Sequence, residues 1–151
     1  MKKATAISLS NPNWEELLSD SIDSIGGDDF HDRLIFALRK LVPIDHSVVF
    51  GYYKEEIPLC LGHTYSAKQQ VIFVDDYVRG PYLLDPFFKA CARHVKPGLY
   101  RLRDIAPDRF YQSEYYRSYY VRTGLAEEIC YLFYLPEGPA AVISLMRLQT
   151  N

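Results

Sequence analysis

The sequence lacks the features that mark membrane, secreted and disulfide-rich proteins. No apolar run approaches the ~20 residues that a membrane helix needs. The two lysines at the start are not followed by the long apolar region of a signal peptide. The three cysteines, Cys60, Cys91 and Cys130, are widely spaced and odd in number. This pattern is typical of reduced thiols, so we expect a cytoplasmic protein with no membrane partner and no disulfide framework.

The chain also lacks the spacings of metal and cofactor sites, and its charge is nearly balanced. A net charge of −2 excludes a nucleic-acid binder of the basic-patch kind. The four histidines show no His-x-x-x-His spacing, and there is no Cys-x-x-Cys pair. We therefore expect no metal and no cofactor.

Adjacent carboxylates occur at Asp75-Asp76 and at Glu127-Glu128. Neighbouring side chains diverge by about 100° on a helix and point to opposite faces on a strand. Neither pair can therefore serve as an acid–base dyad, and we expect both pairs to be solvated. The sequence indicates that the protein is not an enzyme, with cysteine redox chemistry as the one enzymatic alternative.

What the chain has in excess is tyrosine, concentrated between Tyr77 and Gly124. Aromatic residues make up 15% of the sequence, and there are 13 tyrosines. Each ring buries a broad apolar face and offers a hydroxyl at its edge. A run of such rings around one carboxylate, Asp85, is typical of a ligand-sensing pocket or of a tyrosine-lined partner surface. The run favours recognition over catalysis.

The order of predicted elements indicates an α+β fold. Predicted helices cover 11–25, 28–42, 66–78, 85–94 and 107–124, and predicted strands cover 47–53, 58–65, 99–103, 128–135 and 140–148. Asn11 and Asp85 are candidate N-caps, each followed by a proline at the first helical position. Two of the strand pairs are hairpins, so we expect an antiparallel five-stranded sheet with helices packed on its faces.

Four tyrosines crowd one predicted helix. Tyr115 and Tyr119 are four residues apart, as are Tyr116 and Tyr120, so each pair can stack. Together they cover too wide an arc for one core-facing stripe. Either one pair lies in the core and the other forms a partly exposed rim, or the second pair lines a cavity or a dimer face.

Two polar residues stand out in apolar surroundings. Asp85 can cap the helix that begins at Pro86, and its second oxygen can also accept a hydrogen bond from a ligand. Ser144 is the one hydroxyl on a strand face shared with Val142, Met146 and Leu148. It either lines a pocket, where a few polar groups orient a mostly apolar ligand, or is simply small enough for tight packing.

An ordered set of segments resembles the N-terminal sensor region of LuxR-type helix-turn-helix transcriptional regulators. The segments are 82–87, 98–104, 113–116, Tyr119-Tyr120 and Gly124-Leu125, and the resemblance covers roughly residues 28–148. It implies a GAF/PAS-like α-β-α sandwich with a ligand cavity on one face of a five-stranded sheet. We expect one sensor domain over 1–151, with 1–27 as an N-terminal helical extension. We expect no helix-turn-helix module within this chain, because the sequence stops just after the last predicted strand.

The resemblance also implies a function and a site. In the branch that binds acyl-homoserine lactones an Asp-Pro pair holds the ligand amide, and Asp85-Pro86 matches it. The predicted ligand-binding residues are Tyr77, Tyr82, Asp85, Phe87, Tyr100, Tyr116 and Ser144. We expect a small, partly apolar ligand, with a lactone-like molecule as one candidate, a homodimer, and DNA contact only through the absent module. The alternative is a protein-interaction or dimerisation module with no small-molecule ligand.

Overall fold

A computed structural model of the chain describes residues 12–54 and 56–149. The chain divides into two compact units, 1–45 and 46–151. In the first, α1 (Pro12–Asp23) and α2 (Phe30–Leu38) pack against each other. Gly26, with φ of 87°, lies in the turn between them, as the Gly-Gly stop predicts. The predicted cap at Asn11 falls outside the described residues. Asp29 precedes α2, but its carboxylate accepts from Arg33 Nε at 2.6 Å instead of capping.

The second unit is built on a five-stranded antiparallel sheet. Its strands are β1 (His46–Tyr52), β2 (Leu59–His63), β3 (Gly98–Arg101), β4 (Leu125–Tyr134) and β5 (Ala140–Leu148). They lie in the order β2-β1-β5-β4-β3. The two predicted hairpins, β1–β2 and β4–β5, are joined side by side through β1 and β5. The prediction of an α+β fold with a five-stranded antiparallel sheet is confirmed.

Strand alternation gives this sheet one core-facing side. The register places Val48 of β1 opposite Ser144 of β5, and Ser144 opposite Cys130 of β4. Side chains two residues apart share a face. The buried residues of this face are Val48, Phe50 and Tyr52 on β1, Val142, Ser144 and Met146 on β5, and Cys130 and Leu132 on β4.

Helical segments of the second unit supply the rest of its core. They are 67–78, Pro81–Leu84, Pro86–Ala92, Leu102–Ile105, Phe110–Gln112 and 116–123. Ser66 and Gln69 form a capping box at the start of the 67–78 helix. None of the helices in the described part of the chain is long and apolar enough to cross a membrane. The predicted strand over 99–103 ends at Arg101, because a helical turn starts at Leu102. Arg101 and Asp104 form a 2.6 Å ion pair across that turn.

Two of the helical segments contain a π-helical turn. One covers Val71–Asp75 and the other Tyr116–Tyr120. Such turns accommodate one extra residue and are frequent at functional sites. The Tyr119 hydroxyl donates to the Phe73 carbonyl at 2.9 Å, so a hydrogen bond joins the two π turns directly. Gly124, left-handed with φ of 66°, ends the second of these helices, as predicted.

Candidate functional site

A small, partly open cavity lies on the core side of the sheet. Every residue that lines it belongs to the second unit. The volume of the cavity is about 20 Å³. The interior space is narrow and holds on the order of one water molecule. Five tyrosines, two carboxylates and one serine contribute to its lining: Tyr52, Tyr65, Tyr77, Tyr115, Tyr119, Asp85, Glu128 and Ser144. A cavity this rich in polar groups is unusual for a space between a sheet and its helices.

Asp85 is buried at the edge of this cavity and holds a helix start. It lies between the Pro81–Leu84 turn and the Pro86–Ala92 helix, where its extended backbone and Pro86 suit an N-cap. One carboxylate oxygen accepts from the Phe87 backbone N–H at 2.7 Å. The other accepts from the Tyr77 hydroxyl at 2.7 Å. Tyr115 lines the same cavity. The predicted cap is therefore confirmed, and the second oxygen is held by tyrosine.

A chain of hydroxyl groups runs from the sheet to Asp85. Tyr52 on β1 lies 2.7 Å from the Tyr77 hydroxyl, oxygen to oxygen. Tyr77 donates its only hydroxyl proton to Asp85. Since a phenol has one proton to give, Tyr52 must be the donor in the first of these bonds. The chain ties β1, the 67–78 helix and the Asp85 cap together in the buried core.

These hydrogen bonds predict an asymmetry between two conservative substitutions. Tyr77→Phe leaves both the Tyr52 hydroxyl and a buried Asp85 oxygen without a partner, so we expect a loss of about 2–4 kcal/mol in the free energy of unfolding. Tyr52→Phe removes one donor and leaves the Tyr77–Asp85 bond intact, so the loss should be about 1 kcal/mol. Urea unfolding of the two variants measures both values. Equal losses would contradict the assigned direction of the chain.

Glu128 is the second carboxylate of the cavity and the more weakly bonded one. It is half-buried on β4, and Ser144 of the neighbouring strand β5 lines the same cavity. Burial and the negative charge of Asp85 together raise the pKa of Glu128 to about 8, against the opposing effect of the Ser144 hydroxyl. Burial also raises the pKa of Asp85, against the bonds from Tyr77 and Phe87. Two carboxylates therefore share one poorly solvated space.

The expectation that both carboxylate pairs are solvated is wrong for Glu128. Glu127 is exposed and forms a 3.1 Å ion pair with Arg147, whereas Glu128 points to the core side with Cys130. Opposite orientation of neighbours on a strand is the physical reason. In the other pair, Asp76 is half-buried and lies within 3.3 Å of arginine nitrogens.

The structure brings three of the seven predicted site residues to the cavity. Tyr77, Asp85 and Ser144 line it. The other four do not contribute to its lining: Tyr82, Phe87, Tyr100 and Tyr116. Tyr82 packs at the rim of the core, with its ring centre 6.3 Å from that of Tyr77. A ligand role for any of the seven stays a prediction.

The other three residues outside the cavity lining have structural surroundings of their own. Phe87 is 1% exposed and belongs to the core. Tyr100 on β3 is half-buried and its hydroxyl donates to the Lys96 carbonyl. Tyr116 is half-buried and stacks on Tyr120, with ring centres 5.7 Å apart.

The tyrosine helix divides differently from either of the predicted pairings. Tyr115, Tyr119 and Tyr120 are all buried, and only Tyr116 is half-buried. Tyr115 and Tyr119 stack with ring centres 5.4 Å apart and face the cavity. The extra residue of the π turn widens the inward arc, and this accounts for three buried rings in place of two.

Sequence reasoning missed several residues that line the cavity. Tyr52, Tyr65, Glu128 and Met146 contribute to it without having been among the candidates. Strand parity could have found Tyr52, which follows Val48 and Phe50 at even spacing, and Glu128, which precedes Cys130 and Leu132 in the same way. Tyr65 lies after β2, where no periodic pattern applies.

All three cysteines lie in surroundings that disfavour the thiolate form. Cys91 and Cys130 are buried, and burial raises the pKa of both thiols, which suppresses the reactive thiolate. Burial raises the pKa of Cys60 as well. Within residues 12–54 and 56–149, no three His, Cys, Asp or Glu side chains are grouped so that they could hold a metal ion.

Comparison with known proteins finds similar structures but no matching family model or curated sequence. No protein-family model and no curated protein matches the chain. The VqsR LBD domain from Pseudomonas aeruginosa superposes with a TM-score of 0.80 at 24% identity, over 93% of this chain and 83% of that one. CepR2 from Burkholderia cenocepacia, an N-acylhomoserine lactone dependent LuxR family transcription factor, gives 0.61 at 17% identity, over 93% and 81%. Escherichia coli SdiA gives 0.61 at 12% identity, over 92% of this chain and 56% of SdiA. The chain therefore has the fold of the ligand-binding domains of LuxR-type regulators.

Proposed function

We propose that this chain is the ligand-sensing domain of a LuxR-type transcriptional regulator and binds a small, partly apolar molecule in the cavity. The observation that carries the proposal is the polar lining of a space in the core. Packing alone favours apolar groups there, since each buried polar group must be compensated. Concave sites that combine aromatic rings with a few placed polar groups are typical of small-molecule binding.

The hydrogen bonds around the cavity suggest how a ligand would act. Tyr77 on the 67–78 helix and Tyr119 on the 116–123 helix both line the cavity. The Tyr119 hydroxyl also donates a hydrogen bond to the Phe73 carbonyl of the 67–78 helix. A ligand that fits one packing of these helices better than another shifts the population toward it. In a regulator that dimerises and carries a helix-turn-helix module, that packing would set the geometry of the two DNA-binding modules.

The proposal is tested by thermal unfolding of the chain with a panel of small metabolites that includes acyl lactones. A true ligand at 100-fold its Kd stabilises the folded chain by about 2.7 kcal/mol, which appears as a raised Tm. Ser144→Val replaces the hydroxyl at the cavity wall and should abolish the rise. Ser118→Val, at an exposed position, should leave it unchanged. Analytical ultracentrifugation of the chain with and without ligand tests whether it forms a homodimer.

A protein-interaction module without a ligand is the second candidate. The narrowness of the cavity and the bonding of its tyrosines to one another favour it. If no member of the panel raises the Tm, the ligand role is contradicted and this second candidate gains support.

A further inference from the structure

We propose that the edge strand β2 pairs with β2 of a second copy of this chain, so that two sheets join across a twofold axis. The inference names the surface of the dimer that the proposed function assumes, and it rests on that proposal for its biological role. It follows from the backbone, the charge and the exposed apolar side chains of residues 57–63.

Strand β2 leaves one side of its backbone without a partner strand. In the described part of the chain it lies at an end of the sheet and pairs with β1 alone. The N–H and C=O groups on its outer side can therefore bind one more strand. Its five residues span about 16 Å, which is long enough for several hydrogen bonds to an antiparallel partner.

The side chains beside this edge form an exposed apolar patch. A Cβ atom built on Gly51 would lie 3.3 Å from the Tyr53 ring and 3.5 Å from a Leu61 methyl group, so these two side chains flank the glycine. Leu59 is the strand partner of Gly51. The exposed fractions are 38% for Tyr53, 52% for Leu59 and 51% for Leu61, and Ile57, just before the strand, is 66% exposed.

The area of this patch is what a weak dimer needs. Together the four exposed side chains present about 400 Å² per copy, which is the size of patch that marks an interaction site on a monomer. A twofold pair would bury about 800 Å² of side-chain surface before the strand backbone is counted, and weak, transient interfaces lie in this range. We therefore expect a dissociation constant in the micromolar range.

Charge and symmetry favour a second copy as the partner. Between Ile57 and Ala67 the sequence contains no lysine, arginine, aspartate or glutamate. Antiparallel pairing of this segment with its own copy therefore places no like charges opposite each other. A twofold axis perpendicular to the sheet makes the two strands antiparallel and uses the open edge of both copies, so the assembly closes as a dimer.

The opposite edge of the sheet is protected from such pairing. Strand β3 is four residues long and ends at the exposed Arg101, which donates to Asp104 at 2.6 and 2.9 Å. Short length and charge are devices that keep an edge strand from pairing. Leu99 on β3 is 62% exposed, so it supplies a matched control for the leucines of β2.

The proposed interface lies one strand away from the cavity. Strand β1 pairs with β2 along one side, and its residues Val48, Phe50 and Tyr52 line the cavity. A ligand that changes the packing around β1 would therefore act on the strand next to the dimer contact. This is the coupling that a sensor of the proposed kind requires.

The test is sedimentation equilibrium of the whole chain without ligand, at concentrations from about 1 to 200 μM. We expect reversible dimers. Leu61→Lys places two like charges near the twofold axis and should weaken the dimer by about tenfold or more. Leu99→Lys, the matched change at the opposite edge, should leave it unchanged. In wild type, hydrogen–deuterium exchange of residues 57–64 should be slower at the high concentration than at the low one.

The other outcomes overturn the inference. Monomers at every concentration would do so, whether another protein's strand or solvent then covers β2. A dimer that Leu61→Lys leaves intact, or that Leu99→Lys weakens equally, would place the contact elsewhere. Unchanged exchange in residues 57–64 would overturn the inference even if Leu61→Lys failed to fold. A raised Tm in a chain that stays monomeric would keep the ligand role and remove only this dimer, and a dimer that no metabolite stabilises would do the reverse.

Discussion

Asp85→Ala is expected to lower the free energy of unfolding by about 2–4 kcal/mol. The substitution removes the helix cap that accepts from the Phe87 N–H, which contributes about 1 kcal/mol. It also leaves the buried hydroxyl of Tyr77 without its acceptor, at about 1–3 kcal/mol. Urea unfolding followed by circular dichroism measures the loss.

Two further variants make the Asp85 result specific. Asp85→Asn keeps the shape and one carbonyl acceptor, so its loss should fall between that of the alanine variant and zero. Asp108→Ala changes an exposed aspartate and should alter the free energy of unfolding by no more than about 0.5 kcal/mol. A loss below about 1 kcal/mol for Asp85→Ala would mean that the tyrosines find water or other acceptors in the core.

Glu128→Gln is expected to stabilise the chain at neutral and alkaline pH and to leave it unchanged near pH 5. The folded chain holds the Glu128 proton up to a pKa of about 8, whereas the unfolded chain releases it near the ordinary value of 4.5. Between these values the folded state binds more protons, so stability falls as pH rises, by at most about 1.4 kcal/mol per pH unit. The glutamine variant has no titratable proton at this position, so its free energy of unfolding lacks this dependence on pH.

The magnitude at pH 7 should be about 2–3 kcal/mol in favour of the glutamine variant, after allowance for the partial solvent access of Glu128. Urea unfolding of both proteins at pH 5, 6, 7 and 8 measures the difference as a function of pH. Asp85 contributes a slope of the same sign, which both proteins retain. Glu127→Gln, on the solvent side and paired with Arg147, should follow the wild-type curve. Parallel curves for Glu128→Gln and wild type would contradict the raised pKa.

Local sequence signals predicted the parts of the fold that depend on neighbouring residues. The hairpin of β4 and β5, the start of the Pro86–Ala92 helix at Asp85 and the stop at Gly124 are all set by residues within a few positions. Ser144 was found because β5 alternates cleanly and carries one hydroxyl on its buried face. Each of these features follows from chemistry within one element.

The residues that line the cavity could not all be predicted from the sequence, because they come from several different strands and helices. Glu127 and Glu128 are identical in type, and only the buried positions of Cys130 and Leu132 show which of the two faces inward. The bonds from Tyr52 to Tyr77 and from Tyr119 to Phe73 join residues 25 and 46 positions apart. No periodicity in the sequence encodes such pairs.

The two π turns also decide where the helices around the cavity can lose a residue. Each turn of this kind holds one residue more than an α-helix needs. Deletion of one residue within Val71–Asp75 would be absorbed as a regular helical turn, so Tyr77 would keep its direction toward Asp85. Deletion of a residue from a regular helical turn would instead rotate everything after it by about 100° about the helix axis. The spare residue of each π turn therefore marks a position at which the chain can shorten while the polar interior keeps its alignment.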